Sequence, residues 1–149
     1  EKVELNNLVQ DVCIDWIPKA LDKGIEISFE TSNQHCFVMA NSILLTELLS
    51  NLLDNAIAYG NKHGSIFVKL STNPVICLTI EDDGPGIPDA EKDKIFERFY
   101  RIPSSSGEGC GLGLAIVKEI ADLHQIKLML LNSTHGGTRI DLQFKGKSF

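Results

Sequence analysis

Two asparagines interrupt a leucine-rich segment that otherwise has the apolar spacing of a buried helix. Glu47, Asn51 and Asn55 are spaced i, i+4 and i+8, so they share one helix face. Asparagine is a mediocre helix former because its side chain competes for backbone partners. Its amide oxygen is a ligand that Mg²⁺ accepts, with waters and phosphates completing the shell. Taken alone, this spacing is more typical of the polar side of an amphipathic helix.

A second cluster, with the sequence Asp-Asp-Gly-Pro-Gly-Ile, spans residues 82–87 and directly follows a predicted strand. Gly84 and Gly86 permit a bend and a close backbone approach, and a carboxylate at the end of the strand can accept a hydrogen bond from a ligand amine. Asp, Gly and Pro also build ordinary surface turns. Two glycines that bracket a proline are more than such a turn requires.

A third cluster is glycine-rich and ends where a helix is predicted to begin. Four of the twelve glycines fall within residues 107–113. Backbone N–H groups at the start of a helix, next to small residues, form a phosphate cradle. The segment is neither a Walker A loop, because no Gly-Lys-Ser/Thr follows, nor a Rossmann loop, because serines 104–106 precede it and not a strand.

Hydrophobic periodicity predicts the elements that position these clusters. Helices are predicted over residues 5–22, 42–59 and 112–124, with Ser42 as the N-cap of the second. Alternating or apolar runs predict strands over residues 25–29, 36–39, 65–70, 75–81, 126–131 and 138–144. The pattern favours a two-layer α/β (α+β) sandwich, in which three main helices cover one face of a mixed, largely antiparallel sheet of about five strands.

Composition is that of one soluble domain. The chain has 149 residues, 43% of them hydrophobic and 23% charged, and a net charge of −6. The negative charge argues against nucleic acid as a partner. No apolar run approaches the ~20 residues of a membrane helix, so no membrane contact is expected. The four scattered cysteines do not have zinc-ligand spacing and are interpreted as small core residues.

In their order and spacing, the three clusters resemble the N, G1 and G2 boxes of the Bergerat ATP-binding fold, which DNA gyrase B and histidine kinases share. Residues 51–56 (NLLDNA) resemble the N box of the histidine kinases, residues 95–101 (IFERFYR) their F box, and residues 136–138 (GGT) their closing motif. The resemblance runs from about Leu5 to Phe144. It implies one catalytic and ATP-binding domain over residues 1–149, with an ATP lid at about residues 89–108.

The resemblance also implies a set of binding residues and their roles. Asn55 would hold Mg²⁺, Asn51 would contact the phosphates or the metal shell, and Asp82 would receive the adenine amino group. Tyr59 would lie against the base or ribose. Thr138 would help to fix Asp82, either directly or through a water. The base pocket, the lid and the phosphate loop would be completed by Gly84, Gly86, Ile87, Arg98, Arg101, Gly109, Gly111, Leu112, Gly113 and Leu114.

By the same resemblance, the chain would be an ATP-dependent protein-histidine kinase. It would transfer the γ-phosphoryl group to a histidine on a phosphoacceptor and dimerisation domain that this sequence lacks, with Asn51 and Arg101 as the catalytic residues. Its partners would be those helices, in a homodimer, and a downstream response-regulator receiver domain. The domain would be cytoplasmic, and its parent would lie in the inner membrane of a bacterium.

Two positions depart from the family pattern and keep alternatives open. Ala58 stands where a phosphate-binding basic residue is common, and Cys110 stands where the G2 box has threonine. A degenerate nucleotide sensor without transfer activity is therefore one alternative. A serine kinase of the anti-sigma type is another, although the F box argues against it. A pure interaction domain, in which the glycines are only turn residues, is a third.

Overall fold

The computed structural model of the chain describes residues 1–31, 35–72, 75–97 and 112–148. Three α-helices are present in these ranges: α1 (Leu5–Asp22), α2 (Ser42–Tyr59) and α3 (Leu112–Leu123), together with a short 3-10 helix at Asp89–Glu91. The strands are β1 (Lys2–Glu4), β2 (Glu26–Thr31), β3 (Cys36–Met39), β4 (Ser65–Ser71), β5 (Ile76–Asp82), β6 (Lys127–Asn132), β7 (Thr138–Phe144) and β8 (Gly146–Ser148). Each predicted helix and strand is present, and most ends agree within one or two residues.

The main sheet has five strands in the order β2-β4-β5-β7-β6. β2 and β4 are parallel, and the other three pairs are antiparallel. β5 lies in the middle, with Ile80 opposite both Val68 of β4 and Ile140 of β7. The predicted mixed, largely antiparallel sheet of five strands with three helices is confirmed.

A second, three-stranded sheet has the order β1-β3-β8 and is wholly antiparallel. β3 was predicted, but its place in a separate sheet was not. The short strands β1 and β8 were not predicted at all, because a three-residue strand has no periodicity of its own and is defined only by its distant partner.

One hydrophobic core lies between the helices and the main sheet. Alternate residues of β4, β5 and β7 point into it, where the apolar faces of the three helices meet them. α2 contributes Leu45, Leu48, Leu49, Leu52, Leu53 and Ile57, all at most 2% exposed. Cys13 and Cys36 are buried in this core as predicted, and burial raises the pKa of the Cys13 thiol to about 11. Cys110 lies outside the described residues.

The N-terminus of α2 corrects the predicted cap. Asn41, not Ser42, is the N-cap, since its side-chain oxygen accepts a hydrogen bond of 3.1 Å from the Leu44 amide. The Ser42 hydroxyl instead donates to the Glu1 carboxylate, at 2.8 Å. Both residue types cap helices well, and the sequence alone could not decide between adjacent candidates.

His124 lies between the end of α3 and the start of α2. It is half-buried at the end of α3, where Nδ1 lies 2.9 Å from the Ile120 carbonyl and Nε2 accepts a 3.1 Å hydrogen bond from the Asn41 amide. The ring therefore joins the end of α3 to the start of α2.

In the ranges that the structure describes, none of the helices combines the length and hydrophobicity that crossing a bilayer demands.

Candidate functional site

A cavity opens where α2, α3, β5 and β7 meet the segment that follows β5. Its walls include seven of the residues predicted to bind a ligand: Asn55, Tyr59, Asp82, Gly86, Ile87, Leu114 and Thr138. The rest of the lining is mainly apolar: Leu52, Ala56, Ile80, Pro85, Ile95 and Ile140. A mostly apolar cleft with a few convergent polar groups is the usual form of a small-molecule site.

Asp82 reaches this cavity because of strand alternation. Ile76, Leu78 and Ile80 of β5 face the helices, and Asp82 occupies the next position of the same series, opposite Ile66. The carboxylate therefore stands at the end of an apolar row. Its neighbours in sequence fall outside that row, and neither of them lines the cavity.

Two backbone amides fix the Asp82 carboxylate. Oδ1 accepts hydrogen bonds from the N–H of Gly84, at 2.9 Å, and of Thr138, at 3.2 Å. Within the described parts of the chain, nothing donates a hydrogen bond to Oδ2, which is left as an acceptor for a ligand. Thr138 was predicted to fix Asp82, either directly or through a water. Its backbone N–H contacts the Asp82 carboxylate directly.

The electrostatic environment of Asp82 raises the pKa of its carboxyl above the ordinary value. Burial among apolar side chains is the main cause, and the nearby charges of Asp83 and Glu81 add to it. The hydrogen bonds from Gly84 and Thr138 act in the opposite direction. Water hydrates a partly buried carboxylate only incompletely. A ligand that donates a hydrogen bond to Asp82 therefore supplies an interaction that water does not.

Glycines allow the chain segments around Asp82 to come together. A side chain at Gly137 would overlap the Asp82 carboxylate, its carbonyl and the Gly84 amide. At Gly84 an added Cβ would lie 3.1 Å from Asp82 Oδ1 and 3.3 Å from the Gly60 Cα atom. Gly86 has a φ of +79°, which favours glycine. Gly86 also lines the cavity, and the role of Gly84 and Gly86 in shaping a base pocket stays a prediction.

Asn55 is on the cavity-lining face of α2, together with Leu52, Ala56 and Tyr59. Its amide nitrogen donates to the Asn51 carbonyl at 2.8 Å, which orients the side chain and leaves Oδ1 as an acceptor. Asn51 itself does not line the cavity, and its Nδ2 is buried with no hydrogen-bond partner among the described residues. An unpaired buried amide in a well-packed helix is uncommon and is typical of a functional position.

Several other predicted residues fall elsewhere. Glu47 is exposed one turn before Asn51 and does not line the cavity. Leu112 and Gly113 form the start of α3, and Leu114, two residues on, lines the cavity. Four predicted residues lie outside the described residues: Arg98, Arg101, Gly109 and Gly111.

Sequence reasoning missed Ile95 and Gly137 as parts of the site. Ile95 is 1% exposed and lines the cavity, although it belongs to a segment with no long regular element. The signal available in the sequence was an apolar residue in a segment rich in turn residues. Gly137 was noted only within a motif, and its contact with Asp82 depends on the pairing of β5 and β7, which no local pattern reveals.

Comparison with known proteins assigns the family. A model described as "Histidine kinase-, DNA gyrase B-, and HSP90-like ATPase" matches residues 40–148, a range that holds every described residue of the cavity. The chain belongs to this ATPase family. ATP is therefore the ligand class of the domain, and the resemblance drawn from the three sequence clusters is confirmed.

Two curated relatives of this ATPase-family domain are named as sensor proteins, and one of them is named as a kinase. The chain is 39% identical over 124 residues to the sensor protein kinase PmrB of Pseudomonas aeruginosa. This alignment covers 82% of the chain and 26% of PmrB. It is 36% identical over 126 residues to the swarming motility regulation sensor protein RssA of Serratia marcescens, covering 81% and 27%. The chain thus spans about a quarter of the length of the curated relatives it matches.

Solved structures give the same result for the fold of the domain. A mycobacterial sensor histidine kinase, MprB, superposes with a TM-score of 0.89 at 30% identity, over 100% of both chains. The catalytic domain of histidine kinase ThkA superposes with a TM-score of 0.85 at 28% identity, over 97% of this chain and 93% of that one. The histidine kinase branch of the family, predicted from residues 51–56 and 95–101, is confirmed.

Proposed function

We propose that this domain binds ATP with Mg²⁺ and transfers the γ-phosphoryl group to a histidine on a phosphoacceptor and dimerisation domain, in two-component signalling. The observation that carries the proposal is the shared cavity of Asp82 and Asn55. One end of it presents a fixed carboxylate acceptor, and another presents an amide oxygen on a helix. These are the groups that an adenine amine and a metal-bound triphosphate need.

Adenine recognition follows from the free oxygen of Asp82. Oδ1 is occupied by the amides of Gly84 and Thr138, so the exocyclic amine of adenine would donate to Oδ2. Guanine presents a carbonyl at the same position, and it would leave two acceptors facing each other. An unpaired buried polar group costs about 1–3 kcal/mol, so this one contact selects adenine over guanine.

The residues present fit Mg²⁺ through one protein ligand only. Among the described residues, no group of three or more His, Cys, Asp or Glu side chains could hold a metal ion. Asn55 Oδ1 is a hard oxygen donor with no partner in the described parts of the chain, and Mg²⁺ is commonly held by one or two protein groups plus phosphates and waters. When bound, the ion would neutralise phosphate charge.

The chemistry of the lining favours transfer over hydrolysis. Asp82 is the only carboxylate among the described lining residues, and its Oδ1 is engaged by two amides. The amides of Asn51 and Asn55 cannot take a proton from water, so none of the described residues that the proposal places at the triphosphate end is a general base. The domain would then position the γ-phosphoryl group and leave its acceptance to another nucleophile.

That nucleophile would lie on another part of the kinase. None of the four histidines is among the described residues that line the cavity. His63 and His135 are exposed, and His124 is held between α2 and α3. We infer a homodimeric sensor kinase that supplies the acceptor helices and passes the phosphoryl group to a receiver domain. This domain, residues 1–149 with a lid at about residues 89–108, would be cytoplasmic, and the parent would lie in a bacterial inner membrane.

A phosphotransfer assay tests this proposal. The domain is incubated with γ-labelled ATP, Mg²⁺ and the acceptor helices of a related sensor kinase, and the label on the acceptor is tested for acid stability. We expect acid-labile label, as phosphohistidine gives. ATP binding without transfer would favour the nucleotide sensor, for which Ala58 is the supporting observation because the last turn of α2 carries no basic residue. Acid-stable label would favour a serine kinase.

A further inference from the structure

A single lysine joins the ends of two helices. Lys23 follows the last residue of α1, and its Nζ donates to three carbonyl oxygens at the end of α2: Ile57 at 2.8 Å, Ala58 at 3.2 Å and Gly60 at 3.2 Å. An ammonium group has three N–H donors. All three are therefore used on the last turn of a helix to which Lys23 does not belong.

The end of α2 needs such a partner. The last carbonyls of a helix have no intrahelical donor, and they are often satisfied by a left-handed glycine that closes the helix. Gly60 is instead extended, with φ −74° and ψ 164°, and the last turn contains no basic residue. Lys23 supplies both the missing donors and a positive charge at the negative end of the helix dipole.

The last turn of α2 packs directly against the segment that carries Asp82. An added Cβ at Gly84 would lie 3.3 Å from the Gly60 Cα atom and 3.4 Å from the Tyr59 carbonyl oxygen. The Asn61 side chain donates to the Asp83 carbonyl at 3.1 Å. Tyr59 itself lines the cavity. A displacement of this turn would therefore move the part of the cavity wall that Tyr59 forms.

We infer that Lys23 is a positioning residue for the base end of the nucleotide site, an inference that rests on the proposed function. It acts through the last turn of α2 and makes no contact with the ligand. Removing it releases the carbonyls of that turn to water and lets Tyr59 and Gly60 move relative to Asp82. Asn55 lies one turn earlier, before the carbonyls that Lys23 holds, so the grip on the metal and phosphates is preserved.

A matched pair of lysine variants tests this inference. Lys19 also joins α1 to α2, through an ion pair of 2.7 Å with Asp54, but it does not touch the last turn. Kd values for ATP, ADP and AMP are measured by calorimetry, well below the melting temperature, for Lys23→Met and Lys19→Met. We expect Lys23→Met to raise all three Kd values by about the same factor, roughly fivefold, and Lys19→Met to leave them within about twofold.

The phosphoryl-transfer assay separates positioning from general destabilisation. We expect the KM for ATP of Lys23→Met to rise by about the same fivefold factor as its Kd, while kcat at saturating ATP stays within about twofold of wild type. Lys23→Arg, which keeps several donors, should restore the affinity. If Lys23→Met does not fold, Lys23→Gln, with one short donor group, takes its place and should give a smaller rise in Kd.

Two results would overturn the inference in distinguishable ways. A folded Lys23→Met or Lys23→Gln variant with wild-type Kd values and only a lower melting temperature would show that Lys23 has a purely structural role. Failure of the wild-type domain itself to bind ATP would instead overturn the proposed function, and this inference with it.

Discussion

The two ends of the cavity are constructed differently. At the Asp82 end, the carboxylate accepts two backbone hydrogen bonds, and glycines 84 and 137 bring three chain segments into contact around it. At the Asn55 end, one side chain is oriented by a single hydrogen bond to the carbonyl of the preceding turn. Its oxygen accepts no hydrogen bond from the described residues and is the one ligand that they offer to a metal ion. Under the proposed function, adenine recognition would depend on main-chain geometry, whereas the grip on the triphosphate would depend on one amide and on the ion that accompanies the ligand.

This contrast predicts how variants separate. A change at the Asp82 end should weaken every adenine nucleotide by a similar factor, with or without metal. A change at the Asn55 end should weaken only the metal complexes of the longer phosphate chains.

Asp82→Ala should have the largest effect. It removes a hydrogen bond to a charged group, worth about 1.5–3 kcal/mol, so the Kd values of ATP and of AMP should both rise roughly 10- to 150-fold. Calorimetric titration with each nucleotide measures this. Asp15→Ala, at an exposed position of α1, is the control and should bind normally. A loss of ATP affinity with unchanged AMP affinity would place Asp82 at the phosphate end and reverse the comparison.

Gly137→Ala tests whether close backbone packing holds the base end. The added methyl group overlaps Asp82, which we expect to cost about 1–3 kcal/mol of unfolding free energy and to weaken AMP binding as well. The control is Gly136→Ala, where φ is +97° but an added Cβ meets nothing within 4 Å. That variant should lose about 1 kcal/mol in stability and keep its AMP affinity. Equal nucleotide affinities for the two variants would be incompatible with steric control by Gly137.

Asn55→Ala should act only through the metal. Loss of one oxygen ligand should raise the Kd of ATP about tenfold in the presence of Mg²⁺, which corresponds to about 1.4 kcal/mol. In excess chelator the variant and the wild type should bind ATP equally, because the base end is intact. If Asn55→Ala weakened ATP binding by the same factor with and without Mg²⁺, the proposed difference between the two ends of the cavity would be wrong.

The smallest expected effect is on the stability of the ligand-free domain. Burial raises the pKa of Asp82 in the folded state, so its charge opposes folding at neutral pH, and the wild type gains stability as the pH falls through this raised pKa. Asp82→Asn lacks this charge and should melt about 1–3 °C higher than wild type at pH 7.5. The difference should vanish below the ordinary aspartate pKa of about 3.9. A wild type that melts above Asp82→Asn at pH 7.5 would argue against a desolvated carboxylate.

How much of this site the sequence could predict differs between its parts. Helical periodicity predicted α2 and placed Asn51 and Asn55 on one face, and strand alternation predicted β5 up to residue 81, because both depend on neighbouring residues. Lys23 and Gly137 gave no local signal of their contacts. The first bonds carbonyls more than thirty residues away, and the second meets Asp82 across paired strands. Such contacts are set by tertiary packing, which a single sequence does not encode in its periodicity.

For Asn51, the sequence predicted the correct helix face but not the position of the side chain relative to the cavity. The sequence placed it with Asn55 on one face, and the structure does so too, yet only Asn55 lines the cavity. One turn earlier on α2, Asn51 Nδ2 is buried and has no hydrogen-bond partner within the described ranges. Its predicted contact with the phosphates or the metal shell stays a prediction, as do the contacts of Arg98 and Arg101, which lie outside the described residues.

A crystal structure of the domain with a non-hydrolysable ATP analogue and Mg²⁺ would test the central claim most directly. We predict that the adenine amino group lies at hydrogen-bond distance, about 2.9 Å, from Asp82 Oδ2, and that the ion is bound to Asn55 Oδ1 and to phosphate oxygens. An analogue whose base lies away from Asp82, or whose metal-bound phosphates lie on a different face of α2 from Asn55, would contradict it.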